Sequence, residues 1–534
     1  MNALLIYPQF PETFWSFKHV LKFIGKRAAQ PPLGLMTVAA LLPSEWKIRL
    51  VDTNVERLRE RDLKWADVVL LSAMLSQQDS LVEIVERCRA RGLKTVIGGP
   101  IASSLTRDEL KVDHVVIGEA EALIAGLARD LEQGTAKPLY QAAERPEMTS
   151  SPMPDLSLIK LKRYSTMTVQ YSRGCPFNCE FCDIIEIYGR KPRTKAVQQV
   201  LAELNQMIAA GWRDSVFVVD DNFIGNKARA KELLRALVEW RRETGFPYDF
   251  ITEASLNLAD DPELMQLMKD AGFRLIFMGI ETPDEQGLIS VNKLQNTRRS
   301  LLESVATIQS YGMQVMGGFI LGFDTDREDI FDRMVEFIQK SAIPIAMVGL
   351  LQAVPGTQLF RRLRKEGRIV DSGGKNNGGN NTSGQMNFLP HMDAARLVEG
   401  YHSVLKRIYN CEAYYERAKV YLSRVYPGTK NTGERGAAKQ TNTGVPYQHW
   451  ITRDNMRALA LSFVRQGVFG KHRWSYWKFV VSAATRYRRC FGAAMTLAVM
   501  GYHFEVMTRK LSKTMENSVI ASAANALPEQ AGVE

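Results

Sequence analysis

Residues 171–183 read YSRGCPFNCEFCD, placing three cysteines, Cys175, Cys179 and Cys182, within eight positions. The chain has six cysteines in 534 residues, so half of them crowd one loop beside a Gly-Cys-Pro turn. With cysteine near 1% of residues, chance partners at both offsets arise on the order of once in 10⁴ cysteines. Three thiolates on a short loop suit three corners of an iron–sulfur cubane, because thiolate is the protein ligand such clusters take. The alternative is structural zinc, which needs a fourth Cys or His. Cys88 and Cys411 lie in distant helical patterns, Cys490 adjoins a basic run, and none of the seven histidines falls within 50 residues of the loop. A three-cysteine site leaves one metal open to another ligand.

Working outward, MTVQYS leads into the loop as a strand, and SVFVVDD, YDFITEA, RLIFMGI, QVMGGFIL and AMVGLLQ follow. Helical patterns such as TKAVQQVLAELNQMIAAG, NKARAKELLRALVEWRRETG and REDIFDRMVEFIQKSA separate them. This alternation predicts an α/β fold, a partial (β/α)6 TIM-type barrel over 166–370, with chemistry at the carboxyl ends of its strands. Upstream, NALLIYP, IRLVDT, DVVLLSA, KTVIGG and HVVIG alternate with helical patterns and predict a Rossmann-like, doubly wound domain over 1–145. The Pro-rich stretch ERPEMTSSPMPDLS supplies a linker at 146–165. Downstream, DSGGKNNGGNNTSGQ predicts a flexible loop at 371–385, followed by a mainly helical region over 386–513 and a disordered tail at 514–534.

Apolar residues make up 45% and charged residues 24%, the usage of a globular protein. Sparse cysteine, and an opening MNALLIYPQF that breaks at Pro8 rather than forming a cleavable signal segment, lead us to expect a reducing cytoplasm. The net charge is +11, concentrated late in KHRWSYWK (471–478) and RYRR (486–489). The segment WSYWKFVVSAATRYRRCFGAAMTLAVMGYHF contains an uncharged run, Cys490–Tyr502, of 13 residues, shorter than a membrane span. Two readings stand: a helical cap on the barrel, or a helix lying peripherally on a membrane surface. No nucleic-acid partner is expected, since the basic residues belong to an apolar region without a recognised binding motif.

At the end of the first barrel strand, CPFNCEFC resembles the three-cysteine motif of the radical S-adenosylmethionine (SAM) family, with the aromatic Phe181 before the third cysteine. The resemblance implies a 4Fe-4S cluster on Cys175, Cys179 and Cys182, its open iron chelated by the amino and carboxyl groups of SAM. Reductive cleavage of SAM then gives a 5′-deoxyadenosyl radical, so the cofactor carries the hard chemistry. VDDNF puts Asp220, Asp221 and Asn222 where the family contacts the methionine amino group, although a Gly-Gly-Glu version is more usual. TEASLN puts Glu253 and Ser255 where the ribose or the carboxylate is read, and GGFILGF puts Gly317 and Gly318 near the adenine. The plainer alternatives are a helix cap for a strand-end carboxylate and close packing for a glycine pair.

The first domain resembles the cobalamin-binding domain of one large branch of this family, through PPLGLMTVAALL, VDTN, VIGGPIASS and VIGEAE. The resemblance implies that Gly98, Gly99 and Ser103 let the backbone approach the nucleotide tail, while Gly118 and Glu119 close the next strand. A nicotinamide-binding fold is the alternative, but no G-x-G-x-x-G follows the first strand. No histidine motif for axial ligation of cobalt is present, so none is expected. In that branch the radical abstracts hydrogen, methylcobalamin delivers methyl to the carbon, and a second SAM remethylates the cobalt. An external electron donor such as a flavodoxin or ferredoxin is implied. DIIEIYGRKPRTK and GQMNFLPHMD resemble, more narrowly, the subgroup that includes hopanoid C-2 methylases, implying a hydrophobic, polycyclic lipid substrate. The alternatives are a radical SAM cyclase or rearrangement enzyme without methyl transfer, and a non-catalytic iron–sulfur sensor or scaffold.

Overall fold

The computed structural model describes residues 1–245, 248–370, 384–426 and 452–525, with side chains described as far as residue 513. Its first sheet has six parallel strands: β1 (Asn2–Tyr7), β2 (Lys47–Asp52), β3 (Val68–Ser72), β4 (Lys94–Gly98), β5 (His114–Ile117) and β6 (Leu139–Gln141). Ala3, Leu4, Leu5 and Ile6 are all fully buried, as a parallel sheet covered on both faces requires. Side-chain alternation sends Ala3, Leu5 and Leu70 into one core and Leu4, Ile6, Val69 and Leu71 into the other.

The strand order β2-β1-β3-β4-β5-β6 is the flavodoxin-like version of the doubly wound sheet, not the Rossmann order. Its topological switch, and so its ligand crevice, lies beyond the carboxyl ends of β1 and β3. The sequence reading missed β6, an edge strand of three residues with only Tyr140 buried, which leaves no apolar run to read.

The second sheet contains β7 (Met167–Val169), β10 (Val216–Val218), β11 (Phe250–Glu253), β12 (Phe273–Glu281), β13 (Gln314–Leu321) and β14 (Ile345–Leu350), all parallel. They pair in sequence order, and β7 and β14 form its two edges, which makes the expected partial barrel. A two-residue antiparallel pair, β8 (Ser172–Arg173) and β9 (Arg193–Thr194), brackets the cysteine loop. Val216, Val218, Ile276 and Met278 are buried in the helical layer, whereas the alternate residues Phe217, Ile251, Phe277 and Met316 remain partly accessible on the inner face.

The C-terminal region is helical as expected, with helices Ala394–Ile408, Cys411–Val425, Arg453–Ser462, Arg473–Thr485 and Phe491–Asn525. Within it Arg488–Lys513 is long and apolar enough to cross a membrane by length and composition, but 67% of its most apolar stretch is buried inside the protein. There Phe504 stacks on Tyr409 at 4.6 Å and on Phe14 at 6.0 Å, and Tyr414 donates to the Leu497 carbonyl at 2.6 Å. This helix is therefore a core element of the cap. It continues through Asn525, past the boundary expected at 513; the rest of the expected tail lies outside the described residues, as does the Gly/Asn-rich segment from 371 to 383.

Candidate functional site

The cysteine loop is wound tightly by its own backbone. Gly174 adopts φ +94°, and a Cβ there would lie 2.9 Å from the carbonyl oxygens of Gly189 and Lys191, so only glycine lets the two ends of the loop approach. Cys175 N–H donates to Gly189 O and Cys182 N–H to Cys179 O, both at 3.2 Å. Glu180 N–H donates to Val291 O at 3.0 Å, and its carboxylate pairs with Arg362 at 2.6 Å, which ties the loop to the opposite side of the barrel mouth.

All three cysteines are free thiols. Burial pushes the Cys175 and Cys182 thiols up, and the Asp183 charge adds to the effect on Cys182. Set against this are an Asn222 Nδ2 donor 3.7 Å from Cys175 Sγ, a Gln295 Nε2 donor 3.6 Å from Cys179 Sγ, and the Lys293 ammonium, whose charge acts on all three sulfurs. Such donors and a cation stabilise sulfur as thiolate, the form a metal takes. Among the described residues no group of three or more His, Cys, Asp or Glu side chains is arranged to hold a metal ion. Three free thiols on one loop, with amide and ammonium donors beside them, fit the thiolate ligation of an iron–sulfur cluster.

The expected SAM-binding residues separate into two kinds. Asp220 is fully buried, with Oδ1 accepting from Tyr171 N–H at 2.7 Å and Oδ2 from Ser172 N–H at 2.8 Å and Ser172 Oγ at 2.6 Å. It clamps the strand leading into the cysteine loop, with both oxygens engaged there. Asp221, by contrast, keeps a buried Oδ2 without a hydrogen-bond partner. Burial, then the charges of Asp220 and Asp183, push its carboxyl up to about 7. Glu253 is pushed up to about 8 by burial, then by Asp221 and Asp220. A buried carboxyl pair with unsatisfied oxygen fits an ammonium or hydroxyl donor, which is what SAM offers.

Asn222 links the loop to β11, donating to Ser255 Oγ at 3.2 Å while its Oδ1 accepts from Ser255 N–H at 3.3 Å. Phe181 is partly buried, 6.4 Å from Phe323 and 5.8 Å from Lys293 Nζ. A Cβ on Gly317 would strike the Phe319 ring at 2.6 Å, on the helical side, so this glycine serves packing there. Gly318 lies under Phe277, whose ring a Cβ would meet at 2.7 Å on the inner face. The sequence reading missed Lys293 and its partner Glu281, paired at 2.6 Å, and Gln295. The strand-end carboxylate of GIETPDE was the available signal for Glu281; nothing local distinguished Lys293.

The carboxyl ends of the first sheet face the barrel. Past β5, Glu119 pairs with Arg173 at 2.6 Å and with Arg193 at 2.5 Å, while Glu121 pairs with Arg173 at 2.8 Å. Glu119 thus joins the two domains through the hairpin that carries the cysteines, and its carboxylate is committed to that contact. Gly118, with φ +99°, is exposed and would have nothing within 4 Å of a Cβ. Gly99, with φ +80°, packs instead on β3, where a Cβ would reach Ser72 Oγ at 2.5 Å, and Gly98 sits in ordinary contact with Val116. Ser103 is exposed, and its carbonyl faces Gly356 beyond β14. Past β1, Trp15 reaches the inner face of the barrel and meets Phe277 edge-on at 5.2 Å.

These contacts set a ligand crevice of one sheet over the mouth of the other, with open space at Gly118 and the unsatisfied Asp221 carboxyl oxygen beside the cysteine loop. Residues 27–128 match the B12 binding domain, residues 169–338 the Radical SAM superfamily, and residues 357–517 a domain of unknown function. An uncharacterized methyltransferase of Synechocystis sp. is 41% identical over 507 residues, covering 94% of this chain and 91% of that protein. The hopanoid C-2 methylase of Rhodopseudomonas palustris is 35% identical over 528 residues, covering 97% and 95%. In fold, the chain is similar to the cobalamin-dependent S-adenosylmethionine radical enzyme OxsB, at a TM-score of 0.59 and 15% identity over 98% of this chain and 81% of that one. Domain order and near-full-length relatives agree that the chain belongs to the cobalamin-dependent radical S-adenosylmethionine methyltransferases, which work with a 4Fe-4S cluster, SAM and cobalamin.

Proposed function

We propose that this protein methylates an unactivated carbon of a hydrophobic, polycyclic lipid of the hopanoid class. The observation that carries this reading is the aromatic wall where the domains face each other: Trp15, 39% exposed, stands edge-on to Phe277, whose ring has room because position 318 is glycine. Flat apolar ring faces suit fused hydrocarbon rings. The full-length likeness to a hopanoid C-2 methylase supports the same substrate class.

When bound, the cluster with SAM supplies hydrogen-atom abstraction, and cobalamin supplies the methyl group. The residues of the chain hold and orient. Cys175, Cys179 and Cys182 would bind the cluster, with Asn222 and Gln295 donating to two of the sulfurs. Asp221 and Glu253 would take the donor groups of SAM, and the open backbone at Gly118 would admit the corrinoid. Glu119 and Arg173 fix the distance between the two cofactor sites. Trp15 and Phe277 exclude water from the reacting carbon. Electrons arrive from an external carrier such as a flavodoxin or ferredoxin.

The test is anaerobic turnover of the reconstituted protein with SAM carrying a labelled methyl group and a hopanoid. Labelled lipid one methylene heavier, together with 5′-deoxyadenosine, is the expected result. 5′-Deoxyadenosine with no labelled lipid across a panel of polycyclic lipids would overturn the methylation of this class, and a full cluster that never cleaves SAM would support a sensor instead.

A further inference from the structure

The helices Arg453–Ser462 and Arg473–Thr485, joined through a π-helical turn at Phe463–Val468, carry a surface that none of the proposed chemistry uses. Between residues 453 and 490 the sequence has nine Lys or Arg and one Asp, a net charge of +8 out of +11 for the whole chain. All nine basic residues are exposed, and the lone acid, Asp454, is paired with Lys26 at 3.4 Å. Large apolar side chains stand exposed among them: Phe469 at 81%, Trp474 at 71%, Val481 at 58% and Val468 at 57%.

The helix Arg473–Thr485 is two-sided. Tyr476, Phe479, Val480 and Ala483 are buried against the cap, while Trp474, Lys478 and Val481, at helical spacing, point outward. Beside the turn lies a cavity of about 280 Å³ whose lining includes Arg465, Phe469, Lys471, His472 and Arg509, with Glu505 as its acidic member.

We propose that this face docks on an anionic lipid bilayer, with Phe469 and Trp474 entering the boundary between headgroups and acyl chains while the surrounding cations meet lipid phosphates. Aromatic tips at the interface and a dense ring of Lys and Arg are the two elements such binding needs. A second copy of the chain fits poorly, because a two-fold contact would press like charges such as Lys471, Arg473 and Lys478 against their own copies. Nucleic acid would use the cations but leave Val468 and Val481 in water. The cavity lined in part by Arg465 and Lys471 has room for a phosphate headgroup, while Arg509 there is paired with Glu505. The inference rests on surface chemistry alone and holds whatever the substrate is.

Flotation of the full-length protein with vesicles tests it. The protein is expected to rise with mixed phosphatidylcholine and phosphatidylglycerol vesicles at low salt, to be released by high salt, and to stay behind with phosphatidylcholine alone. The double variants Phe469→Ser with Trp474→Ser, and Lys471→Glu with Arg473→Glu, should each weaken partition about tenfold or more. Their iron content and melting temperature should match the parent, since these side chains are already in water. Failure to float at low salt, equal flotation with neutral vesicles, or full binding by both double variants would overturn the proposal. A dimer in light scattering that the same substitutions dissociate would also overturn it, assigning the face to a second copy.

Discussion

Glu119 and Arg173 meet across the two domains at 2.6 Å, with only 2% of the Glu119 side chain and 11% of the Arg173 side chain exposed. Arg173 stands two residues before Cys175, and Arg193, on the other strand of the same hairpin, closes on the same carboxylate. The cobalamin-binding domain is therefore fastened, through Glu119 and Glu121, to the hairpin that brackets the cysteine loop.

Removing that carboxylate leaves Arg173 with Glu121, and leaves the nearly buried Arg193 with the Pro146 and Tyr188 carbonyls but no anion. Glu119→Ala should destabilise the protein by about 3 kcal/mol in chemical denaturation, the range for one broken partner of a buried pair. Iron content should persist, and methyl transfer should fall further than SAM cleavage, because the chemistry within the barrel needs no alignment with the other domain. Equal loss of both activities would show that the contact is merely structural.

Substituting Cys175, Cys179 or Cys182 by Ala one at a time should abolish both iron–sulfur absorbance and 5′-deoxyadenosine formation. Cys88→Ala is the control, since that thiol is fully buried in the first domain, where burial pushes it up to about 11 and keeps it unreactive. Retention of SAM cleavage in any of the three loop variants would contradict the assignment.

The carboxyls of Asp221 and Glu253 tie stability to pH. Their folded values, about 7 and about 8, lie above the ordinary values of 3.8 and 4.5. Between those limits the folded protein holds protons that the unfolded chain has released. Stability of the cofactor-free protein should therefore be fullest in the acid part of that window and fall as pH rises toward 8. Glu253→Gln should flatten this fall and raise stability at the alkaline end by on the order of a few kcal/mol. Denaturation midpoints across the window check it, and a variant with the parent's slope would refute it. Saturating SAM should also flatten the parent's slope, by supplying donors to both carboxylates.

Trp15 is partly in solvent, so Trp15→Ala should leave the melting temperature nearly unchanged. The aromatic wall would lose its half from the first domain, and we expect the ratio of 5′-deoxyadenosine to methylated product to rise about tenfold, the cost of a misplaced substrate. Phe277→Ala should act in the same direction. An unchanged ratio in both variants would remove this wall from the substrate site.

Much of the site was legible because its signals are local. Every barrel strand is an apolar run bounded by turns, and the cysteine spacing is a property of one loop. The strand-end residues were found but not their duties. Asp220 and Asp221 are neighbours in VDDNF, yet one carboxylate is consumed by Tyr171 and Ser172 while the other is left open. Glu119 was carried over with Gly118 from the resemblance to a cobalamin-binding domain, and the partners that folding gives its carboxylate, Arg173 and Arg193, come from the barrel. The uncharged run Cys490–Tyr502 left two readings, a packed cap or a surface helix, since its burial depends on helices placed beside it only by folding.

By itself the sequence determined which residues can ligate a cluster, the order of the two α/β domains and the family, because ligand spacing and strand alternation are written along the chain. Only the tertiary structure decided which carboxylates remain open, that Lys293 and Gln295 attend the sulfurs, and that Trp15 of one domain completes a wall with Phe277 of the other. Burial and hydrogen-bond satisfaction are properties of the space around a side chain, and that space is built here by segments far apart in the chain.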